Sequence, residues 1–166
     1  MRIFIASSGE RLNMAIEVGS WLEGMNVEPV LWNEPEVFPL GAYTWDALID
    51  LSENVDAAIF IFGEDDQIWF RGESTMTVRD NVLLEYGLFS GKLSKANTIF
   101  LCDGRPKLAS DLEGITWGDI RKKNSVRIKL ENWINSIRAS NQKKVKGFKI
   151  TDLNDAFQIA LKNQKT

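Results

Sequence analysis

The chain has 166 residues, 44% of them hydrophobic and 26% charged, with six tryptophans, which suits a compact domain with a sizeable core and excludes disorder as its main state. It has no histidine, so Ser-His-Asp and Cys-His triads, an imidazole general base and His-containing zinc sites are all excluded. Its net charge of -3 hides a division: Met1 to Ile120 carries 8 Lys+Arg against 20 Asp+Glu, net -12, whereas Arg121 to Thr166 carries 12 against 3, net +9.

In chain order, short apolar runs predict strands at Arg2 to Ala6, Val27 to Trp32, Ala57 to Phe62 and Thr98 to Cys102, with a weaker one near Ile115 to Trp117. Helical patterns fall between them, at about Leu12 to Glu23, Thr44 to Glu53, Asn81 to Lys92 and Val126 to Ile137. This alternation predicts an α/β fold, a doubly wound parallel sheet of about five strands with helices on both faces. Ligands of such folds sit beyond the carboxyl ends of the strands. The loops to watch are therefore SSGE (Ser7 to Glu10), NEPEVFPLGAY (Asn33 to Tyr43), GEDDQIWFRGESTMTVRD (Gly63 to Asp80) and DGRPKLASDLEG (Asp103 to Gly114). The domain is expected to span residues 1–140. Residues 141–166 form a basic extension, a linker plus one short amphipathic helix.

No window approaches the roughly 20 apolar residues that cross a bilayer, and the first strand begins at residue 2 with no signal-peptide core before it. The one cysteine, Cys102, ends the run TIFLC and reads as a packed side chain rather than a nucleophile. A cytoplasmic, membrane-free protein is expected. The basic run RKKNSVRIK lacks interleaved aromatics, so no nucleic-acid partner is expected, and the charge polarity reads as solvated faces or as attraction between copies.

No GxGxxG follows the first strand and no GxxxxGK[ST] exists, so neither an ordinary dinucleotide fold nor a P-loop is indicated. Glu64, Asp65 and Asp66 invite comparison with a receiver domain, but the first loop holds a single acid. A solvated turn is expected there rather than a carboxylate-only magnesium site, and no metal is assigned.

The stretch RDNVLLEYGLFSGK poses the main question, because its helix carries a carboxylate, Glu85, amid apolar residues. Val82, Tyr86, Phe89 and Leu93 share one stripe; Asn81, Glu85, Leu88 and Lys92 form the row beside it. Asp80 or Thr77 can cap the start. Burial would raise the pKa of Glu85 unless Arg79, Lys92 or a ligand's hydroxyls compensated. Two readings stand level on the residues alone: Glu85 pairs with a cation and orients its helix, or it serves a ligand.

IFIASSGE, LWNEPEVFPLGAYTWDALIDL, FIFGEDD and, above all, RDNVLLEYGLFSGKL followed by LASDLEGITW resemble the bacterial TIR-like family, in one continuous order from Arg2 to about Trp117. Members occur alone and fused to nucleotide sensors, including STING-type receptors for cyclic dinucleotides. The resemblance implies a flavodoxin-like TIR fold and, in catalytic members, hydrolysis of NAD+ between nicotinamide and ribose, with NAD+ as substrate and no cofactor. It places the catalytic carboxylate at Glu85 and implies substrate contacts from Ser7, Ser8, Trp32, Phe38, Arg79, Asp80 and Asn81. Asp80 would hold the helix start or Arg79. Trp32 and Phe38 would stack on nicotinamide or adenine, although a core or loop-anchoring role fits either equally well. It further implies activation by self-association in antiviral defence, under a cyclic-nucleotide sensor that is either a separate protein or a domain outside these 166 residues, toward which residues 141–166 would be the linker. Two rival readings remain: a noncatalytic TIR scaffold, and an N-glycosidase like the nucleoside deoxyribosyltransferases, which work through a covalent ribosyl intermediate.

Overall fold

The computed structural model describes residues 1–35, 37, 44–112, 115 and 118–147, the side chains of 143–147 excepted. Strands β1 (Arg2–Ser7), β2 (Glu28–Leu31) and β3 (Ala57–Gly63) alternate with helices α1 (Leu12–Gly24) and α2 (Thr44–Glu53). A hairpin, β4 (Asp66–Phe70) and β5 (Glu73–Thr77), precedes α3 (Asp80–Leu93), followed by β6 (Thr98–Asp103), β7 (Gly118–Asp119) and α4 (Lys123–Gly147). The main sheet is parallel throughout in the order β2-β1-β3-β6-β7. Chain order reverses between β1 and β3, and that switch point is where a crevice opens in folds of this kind.

Every residue of β3, AAIFIFG, is buried, as a central strand covered on both faces requires. Side chains alternate across the sheet, so Phe4, Ala6, Ala58, Phe60, Phe62, Phe100 and Cys102 share the face that meets Leu48 of α2 and Val82, Tyr86 and Phe89 of α3. Ile3, Ile5, Ile59 and Ile61 point to the other face, where α1 approaches closely: a Cβ at Gly19 would lie 3.7 Å from Pro29 Cβ.

The aromatic residues set the orientation of α3. Phe89 stacks on Phe4 with ring centroids 4.9 Å apart and meets Phe60 edge-on at 5.7 Å. Tyr86 stands edge-on to Phe60, Phe62 and Phe100 at 5.5, 5.5 and 5.6 Å. Edge-to-face and offset-stacked pairs of this kind add about 0.5–1.5 kcal/mol each beyond their burial.

Several expectations need correction. The segment Gly63 to Asp80 is not one irregular loop, since it folds into the β4–β5 hairpin with register Asp66↔Thr77 to Phe70↔Glu73. Its turn, Arg71-Gly72, has φ of 51° and 90°, the left-handed pair of a two-residue hairpin turn. The fifth strand lies at Gly118–Asp119 rather than near Ile115 to Trp117, and Thr116 and Trp117 lie outside the described residues. Helix α4 starts earlier and runs well beyond Ile137, to Gly147, into the segment expected to be a linker; residues 148–166 lie outside the described residues. The chain divides into two compact units, residues 1–129 and 130–166, and the candidate site lies wholly in the first.

Phe89→Ala removes a fully buried ring and should cost about 3–5 kcal/mol in urea denaturation. Leu84→Ala, on the exposed side of the same helix, should shift stability by less than ~1 kcal/mol. Equal losses would show that α3 is not held through its aromatic face.

Candidate functional site

The site is built from the loops after β1 and β3 and the first two turns of α3. Ser7 closes β1, Ser8 follows it, and both are buried. Ser7 Oγ accepts a hydrogen bond from Trp32 Nε1 at 2.9 Å and donates one to the Ser8 carbonyl at 2.9 Å. The same carbonyl accepts the Arg11 amide, tightening the chain into a short 3₁₀ turn. Trp32 packs against the aromatic face of the core. Its contacts are those of a loop anchor, with its polar edge committed to Ser7. Phe38 lies outside the described residues.

Arg79 fastens α3 to the strand ends. Its Nη2 donates to Glu10 Oε1 at 2.9 Å, in the loop after β1, and to Asp66 Oδ1 at 3.3 Å, where the hairpin begins. Asp80 Oδ1 accepts the Asn81 amide at 2.7 Å, meeting one of the donors left open at a helix start. Asp80 therefore holds the helix start, and Arg79 pairs with Glu10 and Asp66. Asn81 is exposed, one turn N-terminal to Glu85.

Glu85 is half-buried. Of the two cations proposed as partners, Lys92 pairs with Glu53 at 3.1 Å and Arg79 with Glu10 and Asp66. Among the described residues nothing ion-pairs with the Glu85 carboxylate, and burial alone pushes its pKa from the ordinary 4.5 up to about 7. The reading in which Glu85 is half of a structural ion pair therefore finds no partner among these residues.

A second network, not anticipated from sequence, sits at the switch point. Arg11 Nε lies 3.4 Å from Asp65 Oδ1 and 3.3 Å from Asp103 Oδ2, joining the loops after β1, β3 and β6. Asp65 has a side chain only 1% exposed, so a solvated turn at GEDD is incorrect for this residue. Gly63 makes room for the arrangement, because a Cβ there would come 2.2 Å from Arg11 Nε. Glu64 accepts the Arg105 amide at 3.1 Å, and among the described residues no group of three potential ligands is disposed to hold a metal. Cys102 is buried, and burial, with Asp119 adding to it, pushes its thiol up to about 12. It is a packed side chain, not a thiolate nucleophile.

The structure thus gathers Ser7, Ser8 and Trp32 in one cluster and Arg79, Asp80, Asn81 and Glu85 in another, with the Arg79–Glu10 pair as the bridge. The missed residues are Glu10, Arg11, Asp65, Asp66 and Asp103. The one sequence signal for them is Gly63, a glycine directly after an all-apolar strand, where close approach is common.

The fold is shared with the TIR domain of the Toll-related receptor TRR-2 from Hydra magnipapillata, with a TM-score of 0.59 over 82% of this chain and 97% of that one at 17% identity. Among curated proteins, the chain is 34% identical over 137 residues to CD-NTase-associated protein 12 of Sphingobacterium faecium, covering 82% of this chain and 42% of that protein. It is 37% identical over 117 residues to the Pycsar effector protein PaPycTIR of Pseudomonas aeruginosa, covering 69% of this chain and 37% of that one. The chain therefore spans about two fifths of the length of these relatives. Residues 2–122 match the family model described as CAP12/Pycsar effector protein, TIR domain, and the chain belongs to that family of bacterial TIR domains.

Proposed function

We propose that this domain hydrolyses NAD+ at the nicotinamide–ribose bond, with Glu85 as the catalytic carboxylate, as an effector switched on by self-association in bacterial antiviral defence. The observation that carries the reading is the state of Glu85, a half-buried carboxyl raised to about 7 with no cation beside it among the described residues. Such a group is costly to keep. It suits a site whose ligand brings the compensating charge and hydrogen bonds.

The chemistry matches what the chain has. Nicotinamide is bound as a cationic pyridinium and departs neutral, so no acid need protonate it, unlike the leaving oxygen of a glycoside. Positive charge then develops on the ribose as the bond breaks. An ionised Glu85 accepts hydrogen bonds from the ribose hydroxyls and gains most attraction at that moment; water completes the reaction to ADP-ribose. Asn81, exposed one turn away, is proposed to orient a hydroxyl. Arg79, engaged with Glu10 and Asp66, is proposed to position the helix start rather than to grip phosphate. The signal is proposed to come from a cyclic-nucleotide sensor, in keeping with the names of the relatives, CD-NTase-associated protein 12 and Pycsar effector.

The scaffold reading is less well supported, since a domain that only binds partners gains nothing from an uncompensated buried carboxyl. A deoxyribosyltransferase-like reaction would leave a ribosyl adduct on Glu85, detectable by mass spectrometry of the quenched enzyme.

Nicotinamide release from NAD+ by clustered wild type is expected to fall ~10²-fold or more in Glu85→Gln, which preserves shape and removes the charge. Equal release would move catalysis off Glu85, and no release from the clustered wild type would favour the scaffold. The kcat/KM for release should also climb as pH rises through about 7, where the free enzyme's Glu85 ionises, and then level off.

Stability should run the other way. Below pH 4.5 the carboxyl is protonated in both folded and unfolded chains. Between 4.5 and about 7 the unfolded chain releases the proton while the folded chain keeps it, so the folded state loses ground as pH rises, by up to ~3 kcal/mol, and no further above 7. Glu85→Gln should therefore melt higher than wild type at pH 8 and level with it at pH 4.5; an unchanged difference between the two pH values would contradict the burial of this group.

A further inference from the structure

We propose that the β4–β5 hairpin of one copy of this chain inserts Trp69 into the groove between α2 and α3 of a second copy, giving a head-to-tail contact. This deepens the self-association part of the proposed function and is independent of the NAD+ chemistry.

The two surfaces are of opposite shape and lie on different parts of the domain. Trp69 is 77% exposed, the most exposed of the large apolar side chains among the described residues, and Ile68, Phe70 and Met76 around it are each more than a third exposed. By the register Trp69 and Met76 share one face of the hairpin and Ile68 and Phe70 the other, so the strand pair keeps apolar side chains in water on both faces, as an interaction element does. The knob is also preformed. Lys107 donates its amide to the Met76 carbonyl at 2.8 Å and its carbonyl accepts the Thr77 hydroxyl at 2.9 Å, and the Phe70 ring has Lys107 Nζ at 5.0 Å and Arg71 Cζ at 5.1 Å from its centroid. A braced hairpin loses little further freedom on binding.

The hole is an open groove of about 480 Å³ lined by Trp45, Asp80, Leu83, Leu84, Gly87 and Leu88. It is apolar except for Asp80 at its end, and Gly87, lacking a side chain, leaves the middle low, with nothing within 4 Å of where a Cβ would stand. Leu84 is 59% exposed and Trp45 43%. An apolar trough of this size suits an indole, and the charges of the two surfaces are of opposite sign: the hairpin that carries Trp69 also carries the exposed Arg71, and the groove ends at the exposed Asp80. Apolar character and charge sign are thus complementary between the two surfaces.

A knob and a hole on different faces of one chain make a heterologous contact, which repeats from copy to copy into a ring or filament, whereas a two-fold dimer buries one patch against itself. That distinction gives the test. Sedimentation of the full chain without NAD+ over roughly 10 μM to 1 mM should show wild type growing beyond a dimer, while Trp69→Ser and Leu84→Glu each remain monomeric. Both substituted residues are exposed, and circular dichroism checks that each variant is folded. Mixed in equal amounts, the two variants should form a dimer and nothing larger, because each supplies the surface the other lacks. Wild type that stays monomeric, single variants that assemble like wild type, or a mixture that stays monomeric would each overturn the proposal. Glu85→Gln should assemble like wild type, so intact assembly without nicotinamide release counts against the NAD+ reading alone, and release without assembly counts against the contact alone.

Discussion

The orientation of one helix on one sheet face is the constraint on which the rest of this domain depends. Alternation along β1, β3 and β6 brings Phe4, Phe60, Phe62 and Phe100 onto one surface, and Tyr86 and Phe89 of α3 lock into it through a set of ring pairs. Phe62 and Phe100 stack with each other at 4.7 Å and so present a fixed wall to the edge of Tyr86. Rolling α3 by a single residue would drive Glu85 into this wall and lift Tyr86 toward water. The place of the carboxylate is thus fixed by the rings beside it.

Charge composition reaches the site through scarcity. The first 120 residues hold 20 acids and only eight cations, and four of these, Arg2, Arg11, Arg79 and Lys92, are used in pairs away from Glu85. Partly exposed pairs such as Arg79–Glu10 are worth ~0–1 kcal/mol, so their effect is mainly positional: they set where the loops after β1 and β3 stand relative to the start of α3. Arg11 acts similarly between Asp65 and Asp103, in the space that Gly63 leaves. Glu85 is left over from this pairing among the described residues, and burial pushes its pKa up to about 7.

What could be read from sequence follows from how local each signal is. The α3 helix shows in its own periodicity: Val82, Tyr86 and Phe89 fall on one stripe and Glu85 beside it, so burial of the carboxyl was legible without coordinates. Its lack of a partner was not, because Lys92 finds Glu53, 39 residues away, and Arg79 finds Glu10, 69 residues away. The hairpin is hidden because its turn begins with Arg71 where Asn or Asp is the usual signal, and because apolar residues lie on both its faces and blur the alternation. The β-rich runs QIWF and STMT on either side of Arg71-Gly72 are the available clue. Arg11, Asp65 and Asp103 meet only through the order of parallel strands, which one sequence does not reveal.

Helix geometry connects the proposed contact to the proposed chemistry. At about 100° per residue, α3 presents three stripes: Val82, Tyr86 and Phe89 toward the sheet; Asp80, Leu84 and Gly87 away from it, in the groove; and Asn81 and Glu85 along the side between them. A neighbour seated in the groove as proposed would meet the back of the helix whose front is held by rings, and would border the row of Asn81 and Glu85, because Leu88 of that row also lines the groove. Its own hairpin begins at Asp66, the residue that Arg79 ties to the start of α3, so the knob and the helix that carries the hole are joined by one ion pair within each copy. Engagement of either surface as proposed would therefore bear on Asp66, Arg79 and the start of α3, which is the physical requirement for the proposed control of Glu85 by assembly.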